Sequence, residues 1–305
     1  MTNEKYKAVY DHALEIAAKT GFTEAQIAEI APVMELVLEK APDAFAQLEN
    51  AVLEGRDNGD MLYALTRPLG VEDDPGMLAV CLLLTHVSHR YYREKGIAED
   101  IYLDSMRDIW VWTQTCLENR HHLGLYQYGW IRNFYRADIV RLGRLEFHIV
   151  KYHHDEPYTA CGVTVQKGDP VINTHIPADG HMDPEAVQEA FRRACRYFGR
   201  TGITPIVCDS WLLYPKNRLF CKPDSRMVAF LDNFTILESK DIPDSGDLWR
   251  VFGHRSTYEP DTLPDDTPLR RQLKEHLKNG GTMGTGYGIF LHDGERRVDE
   301  PEAKK

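Results

Sequence analysis

The sequence predicts an α+β protein: an all-helical N-terminal domain over residues 1–124, then a mixed β-sheet with flanking helices over 125–292, then a disordered tail at 293–305. Three observations carry this. Apolar residues recur at helical spacing through the first 123 positions. From about Leu125 the pattern turns to alternation, the signature of strands with one buried face. A strand–loop–helix unit at 171–199 then sits between strand-like runs.

Helices are predicted at 5–20, 23–40, 42–53, 60–66, 75–95 and 99–123. Thr23 and Gln26 fit a capping box, in which each side chain bonds the other residue's backbone N–H. Gly21, Gly55, Gly70 and Gly96 stand at plausible helix ends. The run MLAVCLLLTHV (77–87) is apolar nearly all round, which puts its helix at the centre of the bundle. His86 and His89 share one face of that helix and read as a structural pair. No paired Glu-x-x-His spacing of a di-iron bundle occurs in this half.

In the second half, Leu145, Phe147 and Ile149 alternate with Glu146, His148 and Val150, and residues 158–166 alternate in the same way. HHDEP (153–157) and KGDP (167–170) have turn compositions, so three consecutive strands form an antiparallel meander ending at 171–177. The apolar run ITPIVCDSWLL (203–213) predicts a buried strand. A helix separates it from the preceding strand, so the two lie parallel. Short helical pieces follow at 213–222 and 225–231, then two last strands at 234–238 and 248–252, a Pro-rich loop at 254–268 and a helix at 269–279. The run GTMGTGYG (281–288) lets backbone pack closely or forms a flap, and 289–292 is a closing strand. With no helix after it, the glycine run is not a dinucleotide fingerprint.

The unit at 171–199 carries the most information. Asp183 is a good N-cap and Pro184 fits the first helical position. Val187, Ala190, Phe191, Ala194, Cys195 and Phe198 form one apolar stripe. A strand feeding a helix through a short loop presents unpaired N–H groups and the positive end of the helix dipole, a geometry suited to a phosphate or pyrophosphate.

Composition narrows the function. The chain has 305 residues, 43% hydrophobic and 27% charged, as in an ordinary globular protein. A net charge of −11 argues against broad binding to nucleic acid or anionic membranes. The charged, amphipathic start does not read as a secretory signal, and the longest apolar run, 77–84, is too short to span a bilayer. The expectation is a cytoplasmic protein. The six cysteines are dispersed with no Cys-x-x-Cys pair, so they read as buried thiols and no metal site is expected. Oligomeric state is not legible.

GDPVINTHIPADG (168–180), DPEAVQEAF (183–191), CDSWLLYP (208–215) and WRVFG (249–253), taken with the order of elements, resemble the GNAT acyltransferase fold. More specifically, nearly the whole chain resembles a bacterial family that joins a helical N-acyltransferase-type N-terminal domain to a GNAT-like C-terminal domain. The resemblance implies an acyl-CoA co-substrate. Its pyrophosphate would lie on the backbone of Ile176, Ala178, Asp179, Gly180, His181 and Met182, with the pantetheine in a slot where the next strand splays away. It implies transfer of the acyl group to an amine of a small molecule or peptide. That chemistry needs a base for the amine and an acid for the thiolate. His175, with Asn173 on the same strand face, is the candidate base. Asp209 and Ser210 would orient the base or bind the amine, and Tyr214 is the candidate acid. One departure stands out. The family loop reads Q/R-x-x-G-x-G/A, whereas IPADGHMD has one glycine and an acidic Asp179.

Two other readings are available. The C-terminal domain would be a non-catalytic acyl-CoA- or nucleotide-binding module, or a scaffold, if the loop has lost its ligand. Alternatively, His148, His153, His154, His175 and His181 would supply a cupin-like metal site. Cys208 reads as a buried thiol rather than a nucleophile.

Overall fold

The computed structural model describes residues 4–199, 201–242 and 247–299. They fall into two compact units: the described residues up to 142 with 177–179, and those of 143–176 with the described residues from 180 on.

The first unit is helical: α1 (Glu4–Thr20), α2 (Glu24–Lys40), α3 (Pro42–Glu54), α4 (Gly59–Thr66), α5 (Asp73–Glu94), α6 (Glu99–Arg120) and α7 (Tyr128–Tyr135), followed by the short β1 (Val140–Leu142). The capping box at Thr23 is present, with the Gln26 N–H donating to Thr23 Oγ1 at 3.2 Å and the Thr23 N–H donating to Gln26 Oε1 at 2.9 Å. Every residue of α5 from Met77 to Thr85 is buried. This helix packs against α1, α2, α3, α4, α6 and α7, which is what an all-round apolar sequence requires. Tyr135 Oη donates to the Cys81 carbonyl at 3.0 Å, and Tyr92 Oη to that of Phe134 at 2.8 Å, so buried phenols tie α5 to α7.

The alternation expected from Leu125 does not begin there. Tyr128, Ile131, Phe134 and Tyr135 are buried at helical spacing, and that spacing makes the segment α7 and part of the helical core.

The second unit holds β2 (Leu145–Lys151), β3 (Tyr158–Ala160), β4 (Val163–Val165), β5 (Pro170–His175), α8 (Pro184–Tyr197), β6 (Thr204–Ser210), α9 (Arg226–Leu231), β7 (Thr235–Ile242), α10 (Trp249–Phe252), α11 (Pro268–Lys278) and β8 (Met283–His292). Its main sheet runs β2-β5-β6-β8-β7. The β5–β6 pair is parallel and the others are antiparallel. The fold is therefore α+β, helices followed by a mixed sheet with flanking helices. Phe191 of α8 packs edge-on against Phe147 and Phe290, with centroids 6.2 and 4.9 Å apart, so α8 covers the sheet face to which those two residues belong.

Three expectations need correction. The middle strand of the meander is split by a turn at Cys161 (φ 49°) and Gly162 (φ 75°), and its halves β3 and β4 pair in a small sheet of their own, so β2 pairs directly with β5. Residues 248–252 are not a strand: Leu248, Val251 and Phe252 lie at i, i+3 and i+4, and they pack as a helical turn on Leu263 and Leu273. The last strand pair is β7 and β8, and β8 absorbs the glycine-rich run. Finally, residues 293–299 are not disordered. The Val298 N–H returns to the Leu291 carbonyl at 2.9 Å, and the buried Asp299 accepts hydrogen bonds from Tyr158 and Arg297. Residues 300–305 lie outside the described residues.

Among the described residues, no helix is long and apolar enough to cross a membrane.

Candidate active site

Strand register assigns each side chain to a face. Glu146 opposes His175, and His148 opposes Asn173. Asn173 lies beside Val207, and Asp209 opposes Tyr287. Side chains alternate along a strand and directly opposed residues share a face. Glu146, His148, Asn173, His175, Asp209 and Tyr287 therefore share one face. Phe147, Ser210 and Phe290 lie on the other, beneath α8.

The sheet divides at this level. Strands β5 and β6 are in register only at Ile172–Ile206 and Asn173–Val207. Beyond that point His175 stays paired with Glu146 of β2, while Cys208, Asp209 and Ser210 stay paired with Gly288, Tyr287 and Gly286 of β8. Each strand keeps its antiparallel partner, and the parallel ladder between them ends there.

Where this ladder ends three polar side chains meet. Asn173 Nδ2 lies 3.0 Å from His148 Nε2 and 3.1 Å from His175 Nε2, and the two imidazole nitrogens are 3.2 Å apart. Burial pushes the His175 imidazole down to about 4, with the charge of His148 adding to the effect. His175 is therefore neutral near pH 7, with Asn173 Nδ2 placed to donate to its Nε2. The sign for stability follows. The unfolded imidazole titrates near its ordinary 6.5, so between 6.5 and 4 the unfolded chain binds a proton that the native chain refuses. Stability then falls with pH through that window, by about 2 kcal/mol between pH 7 and pH 5. Urea midpoints at the two pH values test this against His175→Gln, which should lose about 2 kcal/mol of the difference, while the share of His12, whose imidazole burial also lowers to about 4, remains. An equal difference in both proteins would remove His175 as its source.

The loop before α8 differs from its expected character. Gly180 takes φ 70°, and the backbone N–H groups of Gly180, His181 and Met182 donate to no group among the described residues. The His181 carbonyl accepts from Arg144 Nε at 3.0 Å. Asp183 caps the helix as expected, its Oδ1 accepting the N–H groups of Glu185 and Ala186 at 3.1 and 3.2 Å. Asp179, the acid that departs from the family pattern, is not a bare negative charge. It pairs with Arg107 at 2.9 Å and with Arg141 at 3.0 Å. Burial acts to raise its pKa, but the hydrogen bonds and charges of the two arginines outweigh burial and hold the carboxyl below its usual range. Ile176 and Met182 are half-buried, and Ala178, Gly180 and His181 are exposed.

The remaining candidates separate. Asp209 lies on the His175 face and accepts from Thr285 Oγ1 at 2.9 Å. Ser210 lies on the other face and caps the following turn through the Leu212 N–H at 3.2 Å. Tyr214 is also on the α8 side: its ring packs over Gly284, and its hydroxyl donates to Asp241, which also holds Lys216. Cys208 is fully buried, and burial together with the charge of Asp209 drives its thiol far above the ordinary range, which makes it inert.

His148 and His175 do come together, as the metal reading expected. His153 and His154 instead pack around Tyr287, and His181 is exposed in the loop. The sheet is open rather than a barrel. The sequence also gave no warning of Glu146, a carboxyl buried on the His175 face, because simple alternation reads it as a solvent-side residue.

Residues 11–137 match the family profile of N-acyltransferase N-terminal domains, and residues 139–290 that of GNAT-like C-terminal domains. Among solved structures, the chain is similar to an acyltransferase in complex with decanoyl-CoA and teicoplanin, at TM-score 0.70 and 20% identity over 95% of this chain and 88% of that one. A mutant acyltransferase in complex with octanoyl-CoA superposes at TM-score 0.68 and 19% identity, over the same 95% and 88%. An acyltransferase in complex with CoA and 10C-teicoplanin gives TM-score 0.64 and 17% identity, over 95% and 99%. No curated protein matches the sequence.

Proposed function

Given that the chain belongs to the family joining an N-acyltransferase N-terminal domain to a GNAT-like C-terminal domain, we propose that it transfers an acyl group from acyl-CoA to an amine of a small molecule or peptide. The observation that carries this is the end of the β5–β6 ladder after Asn173–Val207, directly before the strand–loop–helix and at the level of His175. A pantetheine arm is an extended chain of amides, and the edge of β6 beyond Val207 would supply partners for it. The free N–H groups of Gly180, His181 and Met182 suit the diphosphate. The similar structures add support, since their acyltransferases hold decanoyl-CoA, octanoyl-CoA or CoA.

The amine nitrogen attacks the thioester carbonyl, the C–N bond forms and the C–S bond breaks. Neutral His175 takes the amine proton, and Asp209, on the same face, binds or orients the amine. The departing thiolate takes a proton, with Tyr214 as the candidate acid; because nitrogen enters and sulfur leaves at one carbon, its hydroxyl has to reach the same carbon as His175. Tyr214 must first exchange its bond to Asp241 for the thiolate. Ser210, which points away from His175, is left with a supporting part. The enzyme is proposed to act in the cytoplasm.

Titration calorimetry with acetyl-, octanoyl- and decanoyl-CoA tests the reading, and the longer chains should bind with micromolar Kd. Absence of binding at millimolar ligand overturns it. A second reading, a non-catalytic acyl-CoA- or nucleotide-binding or scaffold protein, draws on one observation: Asp183 already occupies the N–H groups of Glu185 and Ala186, which leaves fewer donors for phosphate. Binding with no release of free thiol across a panel of amines would favour it.

A further inference from the structure

Asp179 stands where a negative charge should hinder a diphosphate, yet two buried or half-buried cations are built around it. Arg107 of α6 donates Nε to Asp179 Oδ2 at 2.9 Å. The same guanidinium donates to the Thr20 carbonyl at 3.0 Å and lies 4.7 Å over the Trp110 ring. Arg141 of β1 reaches both carboxylate oxygens, at 3.0 and 3.2 Å, and is 6% exposed. Its backbone N–H donates to Ser105 Oγ at 3.0 Å. The Arg107 guanidinium is thus fixed at further points, the Arg141 backbone is tied to Ser105, and the side chain of Asp179 retains only 11% exposure. Desolvating three charges is expensive, and a surface loop gains nothing from it unless its conformation matters.

We propose that Asp179 is a positioning residue: bridged by Arg107 and Arg141, it fixes the 176–182 loop in the conformation that receives the acyl-CoA diphosphate. In this chain the ion-paired anchor replaces the additional glycines of the family loop. Those glycines let the backbone approach a phosphate by having no side chain, whereas here the approach is set in advance by holding the preceding residue still. The inference rests on the acyltransferase reading.

The test is a double-mutant cycle read by acyl-CoA affinity. Asp179→Ala removes a negative charge beside an anion site, so simple electrostatics predicts tighter binding. The positioning role predicts the opposite, a Kd raised by about tenfold. Arg107→Gln, at a half-exposed position, should raise Kd by a similar factor. The double variant should cost no more than either alone, because one shared contact is lost. Asp179→Asn, which keeps one oxygen acceptor, should recover part of the affinity. In steady state the variants should show a raised KM for acyl-CoA with kcat nearly unchanged, a split that general loss of structure does not produce. Melting temperatures identify any variant that fails to fold, in which case the other arginine and Asp179→Asn decide. Wild-type binding with unchanged or tighter binding in the variants overturns this inference alone. A wild type that binds no acyl-CoA overturns the acyltransferase reading and this inference with it.

Discussion

Replacing His175 with alanine should lower amide formation by about 10²- to 10⁴-fold, the usual worth of a positioned general base, while leaving the Kd for acyl-CoA within about twofold. The split follows from placement. His175 lies on the sheet face opposite α8, and the proposed diphosphate donors are backbone N–H groups of Gly180 to Met182, which the substitution does not touch. His148→Ala is the informative companion. It leaves the His175 ring in place and removes the charge that helps to depress it, so the His175 pKa should move up from about 4. The acid limb of kcat/KM, expressed per free amine, should then shift to higher pH, with a rate loss smaller than for His175→Ala. Equal losses in the two variants would mean that the cluster acts as packing around Asn173 rather than through the His175 lone pair. Unchanged turnover in His175→Ala would remove it from the mechanism.

Much of this arrangement was legible in the sequence because it is written in local patterns. The helices of the N-terminal half begin and end within a few residues of their expected positions, since capping residues and apolar spacing act over four or five residues. Alternation allowed His148 and His175 to share a face, but their direct pairing came from the withdrawal of the expected middle strand into the small β3–β4 sheet. What local patterns do not contain is partnership at long range. Arg107 and Arg141 lie 72 and 38 positions from Asp179. Read alone, Asp179 was a flaw in a phosphate loop, and only its partners make it an anchor. Tyr214 shows the converse: proximity to a strand end suggested a role, and the fold sets its ring on the face opposite His175. Residues 128–135 misled because little more than two helical turns of mostly aromatic and polar residues also satisfies a coarse strand pattern.

Gly286→Ala should destabilise the second unit by about 2–3 kcal/mol, the upper range for forcing volume into a packed core. In GTMGTGYG the glycines at 284, 286 and 288 recur at every second residue of β8 and so share one face of the strand. That face has no room. A Cβ at Gly286 would lie 2.3 Å from the Leu213 carbonyl oxygen, which is backbone and unable to rotate aside. At Gly284 it would meet the Tyr214 ring at 2.3 Å, and at Gly288 the Phe234 Cβ at 2.8 Å. The alternating glycines are therefore a groove into which the turn after β6 is pressed, and neither a flap nor a nucleotide loop. Gly129→Ala is the control. An added methyl there meets nothing within 4 Å, and the position is helical, so the change should be neutral or stabilising by a few tenths of a kcal/mol. Urea midpoints of the two variants should move in different directions. Because Tyr214 directly follows Leu213, Gly286→Ala should also disturb the phenol proposed to protonate the thiolate, lowering kcat at temperatures where the variant is still fully folded. An unaltered midpoint would show that the turn yields without cost, and the close packing of the glycine face would then have no part in fixing Tyr214.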